Sequence, residues 1–111
     1  MASVAVKPKI IVQEYINNLK NKFRVEKVIV FGSALKNKFN KNSDIDIIVL
    51  SNDFKGIDFL KRLELLSHAR CGRGRQIPMD IIGYTPKEFY KLSKESIVLK
   101  EARENGKVIW P

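Results

Sequence analysis

The 111 residues include one cysteine, one histidine and one tryptophan, and several chemistries are excluded before any motif is read. A lone Cys71 cannot form an internal disulfide, which fits a reducing, cytoplasmic setting. One Cys and one His cannot build an ordinary zinc site, and no histidine stands near Cys71 in a nucleophile pattern. His68 falls at the end of an expected helix, where a surface or helix-end role is its ordinary use. The amino terminus has no apolar stretch long enough for a signal peptide or a membrane span, so neither export nor a membrane partner is expected. Internal repeats, low-complexity linkers and an aromatic ladder of the kind that binds single strands are also missing. Acidic residues are scarce: 12 Asp and Glu against 21 Lys and Arg give a formal net charge of +9. That balance favours nucleotides, nucleic acid or an acidic protein surface as partners.

With 44% hydrophobic residues, the chain is long enough for one domain, residues 1–111, built as one sheet covered by helices. The expected class is α/β (α+β) with a mixed sheet. From Lys7 to Phe23, Ile11, Tyr15, Leu19 and Phe23 recur every four positions with Ile16 beside them, predicting an amphipathic helix. A strand comes next, over Val25 to Phe31. A second helix is predicted over Ile57 to Ala69, with Phe59, Leu60, Leu63 and Leu66 on its apolar face. After a strand over Met79 to Tyr84, Thr85 caps a short helix that starts at Pro86 and runs through Leu92. Glu95 to Asn105 forms the last helix, ended by Gly106, and Trp110 near the end is expected to serve packing or an oligomer contact.

The segment Val28 to Leu50, VIVFGSALKNKFNKNSDIDIIVL, carries the chemistry. Val28 to Phe31 is a continuous apolar run that Gly32 stops, and Ser33 can cap the segment after it. Such a turn can aim successive N–H groups at phosphate oxygens. Ten residues separate Ser33 from Asp44, and the alternation of Asp44 and Asp46 on a strand puts both on one face with Cα atoms roughly 6.5 Å apart. Two carboxylates that close repel one another, and a hard cation such as Mg2+ is the partner that fits them. Each element alone is ordinary: Gly-Ser pairs are mostly turns, and Asp-x-Asp on a strand is mostly a solvated face. Asp80 is the only acid within the later run IPMDIIGY, and beside the first two aspartates it would complete a three-carboxylate metal cluster. Lys36, Lys38 and Lys41 come after the turn, while Arg70, Arg73 and Arg75 precede the Asp80 strand; both groups would either flank the cleft or be solvated loop charges of a basic chain.

Gly-Ser, ten residues, then Asp-Ile-Asp and an apolar strand resembles the signature of the DNA polymerase β-type nucleotidyltransferase superfamily, and within it the minimal nucleotidyltransferases. YTPKEF and the closing SIVLKEARENGKVIW are similar to those small proteins as well. The resemblance implies that Gly32 and Ser33 grip the nucleotide phosphates, that Asp44 and Asp46 bind the divalent ions, and that Asp80 activates the attacking hydroxyl. It implies Mg2+ as cofactor, ATP as the donor, and transfer of AMP to a hydroxyl of a protein or nucleic acid. It also implies pairing with a small helical HEPN-type protein as the antitoxin of a toxin–antitoxin pair. This chain departs from many minimal members in carrying Ala34, Leu35 and Lys36 where they have an Arg-Gly pair. Two readings stand beside the enzyme: a non-catalytic, nucleotide-dependent binding module, and a basic nucleic-acid-binding protein. A homo-oligomer is compatible with each.

Overall fold

The computed structural model describes residues 8–31, 45–70 and 79–110. Among them the order is α1 (Pro8–Leu19), β1 (Lys27–Phe31), β2 (Ile45–Leu50), a 3-10 turn (Asn52–Phe54), α2 (Phe59–His68), β3 (Met79–Tyr84), α3 (Pro86–Leu92), α4 (Ile97–Asn105) and β4 (Lys107–Trp110). The strands form one mixed sheet in the order β3-β2-β1-β4. β1 is antiparallel to both of its neighbours, whereas β2 and β3 run parallel, joined by the α2 crossover.

Period-two alternation divides the central strands between two cores. Val28, Val30, Ile47 and Val49 meet Val12, Tyr15, Ile16 and Leu19 of α1 together with Phe54, Leu66 and Ala69 on one face. Ile29, Ile48 and Leu50 meet Phe89, Leu99 and Ala102 of α3 and α4 on the other. The expected mixed sheet covered by helices is therefore the fold observed, and the uninterrupted apolar run Ile47 to Leu50 reflects burial on both faces.

Several boundaries and one helix face differ from the sequence expectation. α1 ends at Leu19 because the chain tightens there: the Leu19 carbonyl accepts from both Lys22 and Phe23 N–H groups at 2.8 Å. Phe23 still joins the core, its ring 5.3 Å from that of Phe54. β1 begins at Lys27 rather than Val25, while α4 begins at Ile97 because Ser96, not an earlier residue, supplies the cap. Gly106 does end α4, but from an ordinary φ of −70°; its value is space, since a Cβ there would strike the Ala102 carbonyl and Ile29. β4 was not expected, and it pairs its backbone with Val28 to Val30. Thr85 and Glu88 form a capping box with Pro86 in the first turn of α3, as the sequence indicates.

α2 is where the apolar pattern misleads. Leu60 is 72% exposed and Phe59 42%, while the buried positions are Arg62, Leu66 and the closing Ala69. Arg62 is held on every side. Its Nε donates to the Ile57 carbonyl at 2.9 Å, Nη1 donates to the Gly83 carbonyl at 3.3 Å, and the guanidinium grips Glu88 through two bonds of 2.6 and 3.0 Å. Glu88 is also the capping-box residue, accepting from Thr85 N–H at 2.8 Å. One ion pair thus ties α2 to the end of β3 and the start of α3. Gly83 lies in the same seam, where a Cβ would come within 2.7 Å of Phe54 and 3.0 Å of Leu66.

The hydrogen bonds from Arg62 hold the Glu88 carboxyl below its ordinary value of 4.5, against a smaller upward push from burial. A depressed carboxylate stabilises the fold fully above its unfolded value and loses that contribution as pH falls through the folded one. We expect Glu88→Gln to cost about 1–2 kcal/mol near neutral pH, less than a fully buried pair because the Glu88 side chain is 40% exposed. Urea unfolding should show this difference shrinking below pH 4.5, where the wild type also loses the charge. A difference that is constant with pH would contradict the role of the ionised pair.

Candidate active site

Two of the three expected carboxylates fall among the described residues, and the sheet brings them side by side. In the parallel pairing of β2 with β3, Asp46 stands directly opposite Asp80. On the other side of β2, Asp46 is opposite Phe31, the last residue of β1. The three residues form a row across one face, with Cα atoms of neighbouring strands about 4.8 Å apart. The aspartates occupy the second positions of their strands, and each is followed by Ile-Ile, which carries the strand into the core.

By alternation, Asp46 shares its face with Ile48 and Leu50, and Asp80 with Ile82 and Tyr84. This is the face that α3 and α4 cover through Phe89, Leu99 and Ala102. That cover lies over Ile29, Ile48 and Leu50; at the row of the aspartates Asp80 is exposed, and Asp46 and Phe31 are half-buried. Among the described residues, the site lies at the more exposed end of this face. β1 delivers the chain to this end, because Phe31 is level with Asp46.

Gly32, Ser33 and Asp44 lie outside the described residues, as do Lys36, Lys38, Lys41, Cys71, Arg73 and Arg75. Among the described residues no group of three or more His, Cys, Asp or Glu could hold a metal ion, and the described part of the expected triad is the pair Asp46 and Asp80. His68 is exposed in the last turn of α2, and Arg70 sits half-buried just beyond it, close enough to act electrostatically on Tyr15. The Tyr15 hydroxyl is a structural group: it donates to the Leu66 carbonyl at 2.6 Å, and burial pushes its ionisation far upward. Among the described residues, no helix is long and apolar enough to cross a membrane.

Adjacent carboxylates on paired strands are suited to hard cations and to the phosphate oxygens those cations carry. The nucleotidyltransferase domain family model matches residues 12–105, from the first core residue of α1 to the end of α4. The chain belongs to that family. A candidate protein adenylyltransferase of Methanocaldococcus jannaschii, MJ0128, is 31% identical over 85 residues, covering 77% of this chain and 85% of the relative. A second candidate protein adenylyltransferase from the same organism, MJ0604, is 37% identical over 43 residues, 37% of this chain and 43% of that one. In three dimensions the nucleotidyltransferase resembles a crystal structure of a candidate nucleotidyltransferase from Sulfolobus solfataricus, with a TM-score of 0.65 at 20% identity. That likeness covers 92% of this chain and 78% of the other, and it concerns the fold.

Sequence reasoning identified Asp46 and Asp80 but had no access to their register. It also missed Phe31 as the apolar neighbour of Asp46, for which the available signal was its place immediately before the Gly-Ser turn. Like-charge repulsion between adjacent carboxylates gives a direct expectation. Asp46→Asn keeps the side-chain size and removes one of the two charges. Added Mg2+ should stabilise the wild type more than the variant. Thermal scans with and without the ion measure this, and equal responses of the two proteins would contradict a shared cation site.

Proposed function

We propose that this nucleotidyltransferase transfers AMP from ATP to a hydroxyl of a protein, using Asp44, Asp46 and Asp80. The observation that carries the reading is the registered pair Asp46 and Asp80 near the start of β2 and β3. Two carboxylates so placed are the donor set that Mg2+ prefers, and the ion would be held by them together with Asp44. When bound, it neutralises triphosphate charge and polarises the phosphoryl oxygens.

The chain's own residues account for the remaining tasks. Gly32 and Ser33 come directly after Phe31, so backbone donors after β1 are suited to the phosphates of a nucleotide lying against Asp46. Asp80 is the more exposed of the two carboxylates, accessible to an incoming hydroxyl, and accepts its proton as the oxygen attacks the α-phosphorus. Pyrophosphate leaves with the electrons of the broken P–O bond. A protein acceptor is favoured by the relatives named as candidate protein adenylyltransferases. The biological setting we propose is a complex with a small helical HEPN-type partner, this chain being the antitoxin.

Asp46→Asn separates catalysis from binding, since it keeps the side-chain size and removes the charge. The variant should remain folded and lose on the order of a hundredfold or more in transfer of label from α-labelled ATP. Equal transfer by the folded variant would overturn the proposal. Tight nucleotide or partner binding by both proteins, with transfer by neither, would favour the binding module. Ser33→Ala should weaken magnesium-dependent ATP binding, and calorimetry showing the same affinity with and without the metal would contradict the shared phosphate site.

A further inference from the structure

The surface on the far side of α3 carries a second chemical feature. Of the three tyrosines, Tyr15 is buried and Tyr84 is half-buried among Phe59 and Phe89, whereas Tyr90 is 58% exposed. Two cations attend its ring: Lys94 Nζ lies 4.6 Å from the centroid and the Arg103 guanidinium 5.4 Å. Exposed Lys87, one helical turn before Tyr90, extends the positive surround. We propose that Tyr90 of one copy accepts an adenylyl group at the aspartate site of another. This rests on the function proposed above and supplies it with a specific acceptor.

The chemistry of the hydroxyls selects Tyr90 among the described residues. Ser51, Thr85 and Ser93 are buried, Ser96 is committed to capping α4, and Ser67, exposed on α2, is an aliphatic alcohol. A phenol is also the protein hydroxyl that ionises in the ordinary range. In the step itself the Tyr90 oxygen bonds to the α-phosphorus of ATP, and the bond from that phosphorus to the β-bridging oxygen breaks. Pyrophosphate departs with the electron pair, and the phenolic proton passes to the Asp80 carboxylate. The product on Tyr90 is a phosphodiester anion, which Lys94 and Arg103 are placed to stabilise.

The anchoring of α3 favours a reaction between two copies. Phe89 is anchored beside Tyr84, with ring centroids 6.4 Å apart, and Tyr84 is four strand residues, about 13 Å, from Asp80. Tyr90 therefore sits on a helix pinned toward the opposite end of β3. Charge favours the encounter, since a basic surround approaches carboxylates and a triphosphate.

Mixing two variants of the full chain tests this. Tyr90→Phe keeps the aspartates and lacks the acceptor; Asp80→Asn keeps the acceptor and lacks the proton-accepting carboxylate. With magnesium and α-labelled ATP, the Asp80→Asn chain should take up on the order of a hundredfold more label when Tyr90→Phe is present than alone. Tandem mass spectrometry should place the adenylyl group on Tyr90. The double variant Lys94→Gln, Arg103→Gln should be labelled about three- to tenfold more slowly by wild-type enzyme, the size expected for exposed charge interactions. Label at another residue overturns the inference. So does transfer to an added glutamate–tyrosine copolymer with none to this chain, which leaves the proposed activity standing, whereas no transfer to either overturns both.

Discussion

The parallel pairing of β2 with β3 is the constraint on which the site depends. A shift of one residue would send Asp80 to the opposite face, among Phe54, Leu66 and the α1 side chains, and leave Asp46 without its neighbour. The register is held from both directions. Within the strands, each aspartate precedes two isoleucines, and the buried faces of Ile47, Ile48 and Val49 tolerate no carboxylate. From outside, Arg62 reaches across from α2 to the Gly83 carbonyl and Glu88, fixing the end of β3 against the crossover helix and the next helix.

This arrangement separates stability from chemistry along the length of one sheet. At the end marked by Leu50 and Tyr84, the strands are closed by Ser51, the Arg62–Glu88 pair and the capping box of α3. At the end marked by Asp46 and Asp80, beyond the residues that α3 and α4 cover, Asp80 is exposed and Asp46 half-buried. The Arg62–Glu88 pair and the aspartate pair are thus different uses of charge. One joins opposite charges, with the guanidinium also bonded to backbone carbonyls; the other sets two like charges side by side.

Much of this was legible in the sequence because the relevant signals were local. The Thr85-Pro86-Glu88 start of α3 has a complete capping pattern, and the double burial of Ile47 to Leu50 is implied by their unbroken apolar run. Asp46 and Asp80 were recognisable as acids at the edges of such runs. That Asp80 would lie beside the first strand's aspartates was expected, but the register was not legible, because it depends on contacts between segments more than 30 residues apart, although both strands carry the same Asp-Ile-Ile sequence. Arg62 escaped notice for a related reason: a charged residue reads as solvent-facing until its partner, 26 residues away, is known. Of the apolar face expected for α2, Leu66 is buried and Leu63 half-buried, while Phe59 and Leu60 are exposed. β4 is short and comes straight after a helix, so its four residues offered too little alternation to identify, and its strand character comes from pairing with β1.

The claim that Asp46 and Asp80 act as one site is tested most directly by a double-mutant cycle on the rate of adenylyl transfer. Groups that act as a unit are non-additive when removed. If the account is right, Asp46→Asn and Asp80→Asn each abolish most of the rate, and the double variant is scarcely slower than either alone. Losses that multiply across the cycle, in variants shown to be folded, would mean that the two carboxylates act independently and would contradict it.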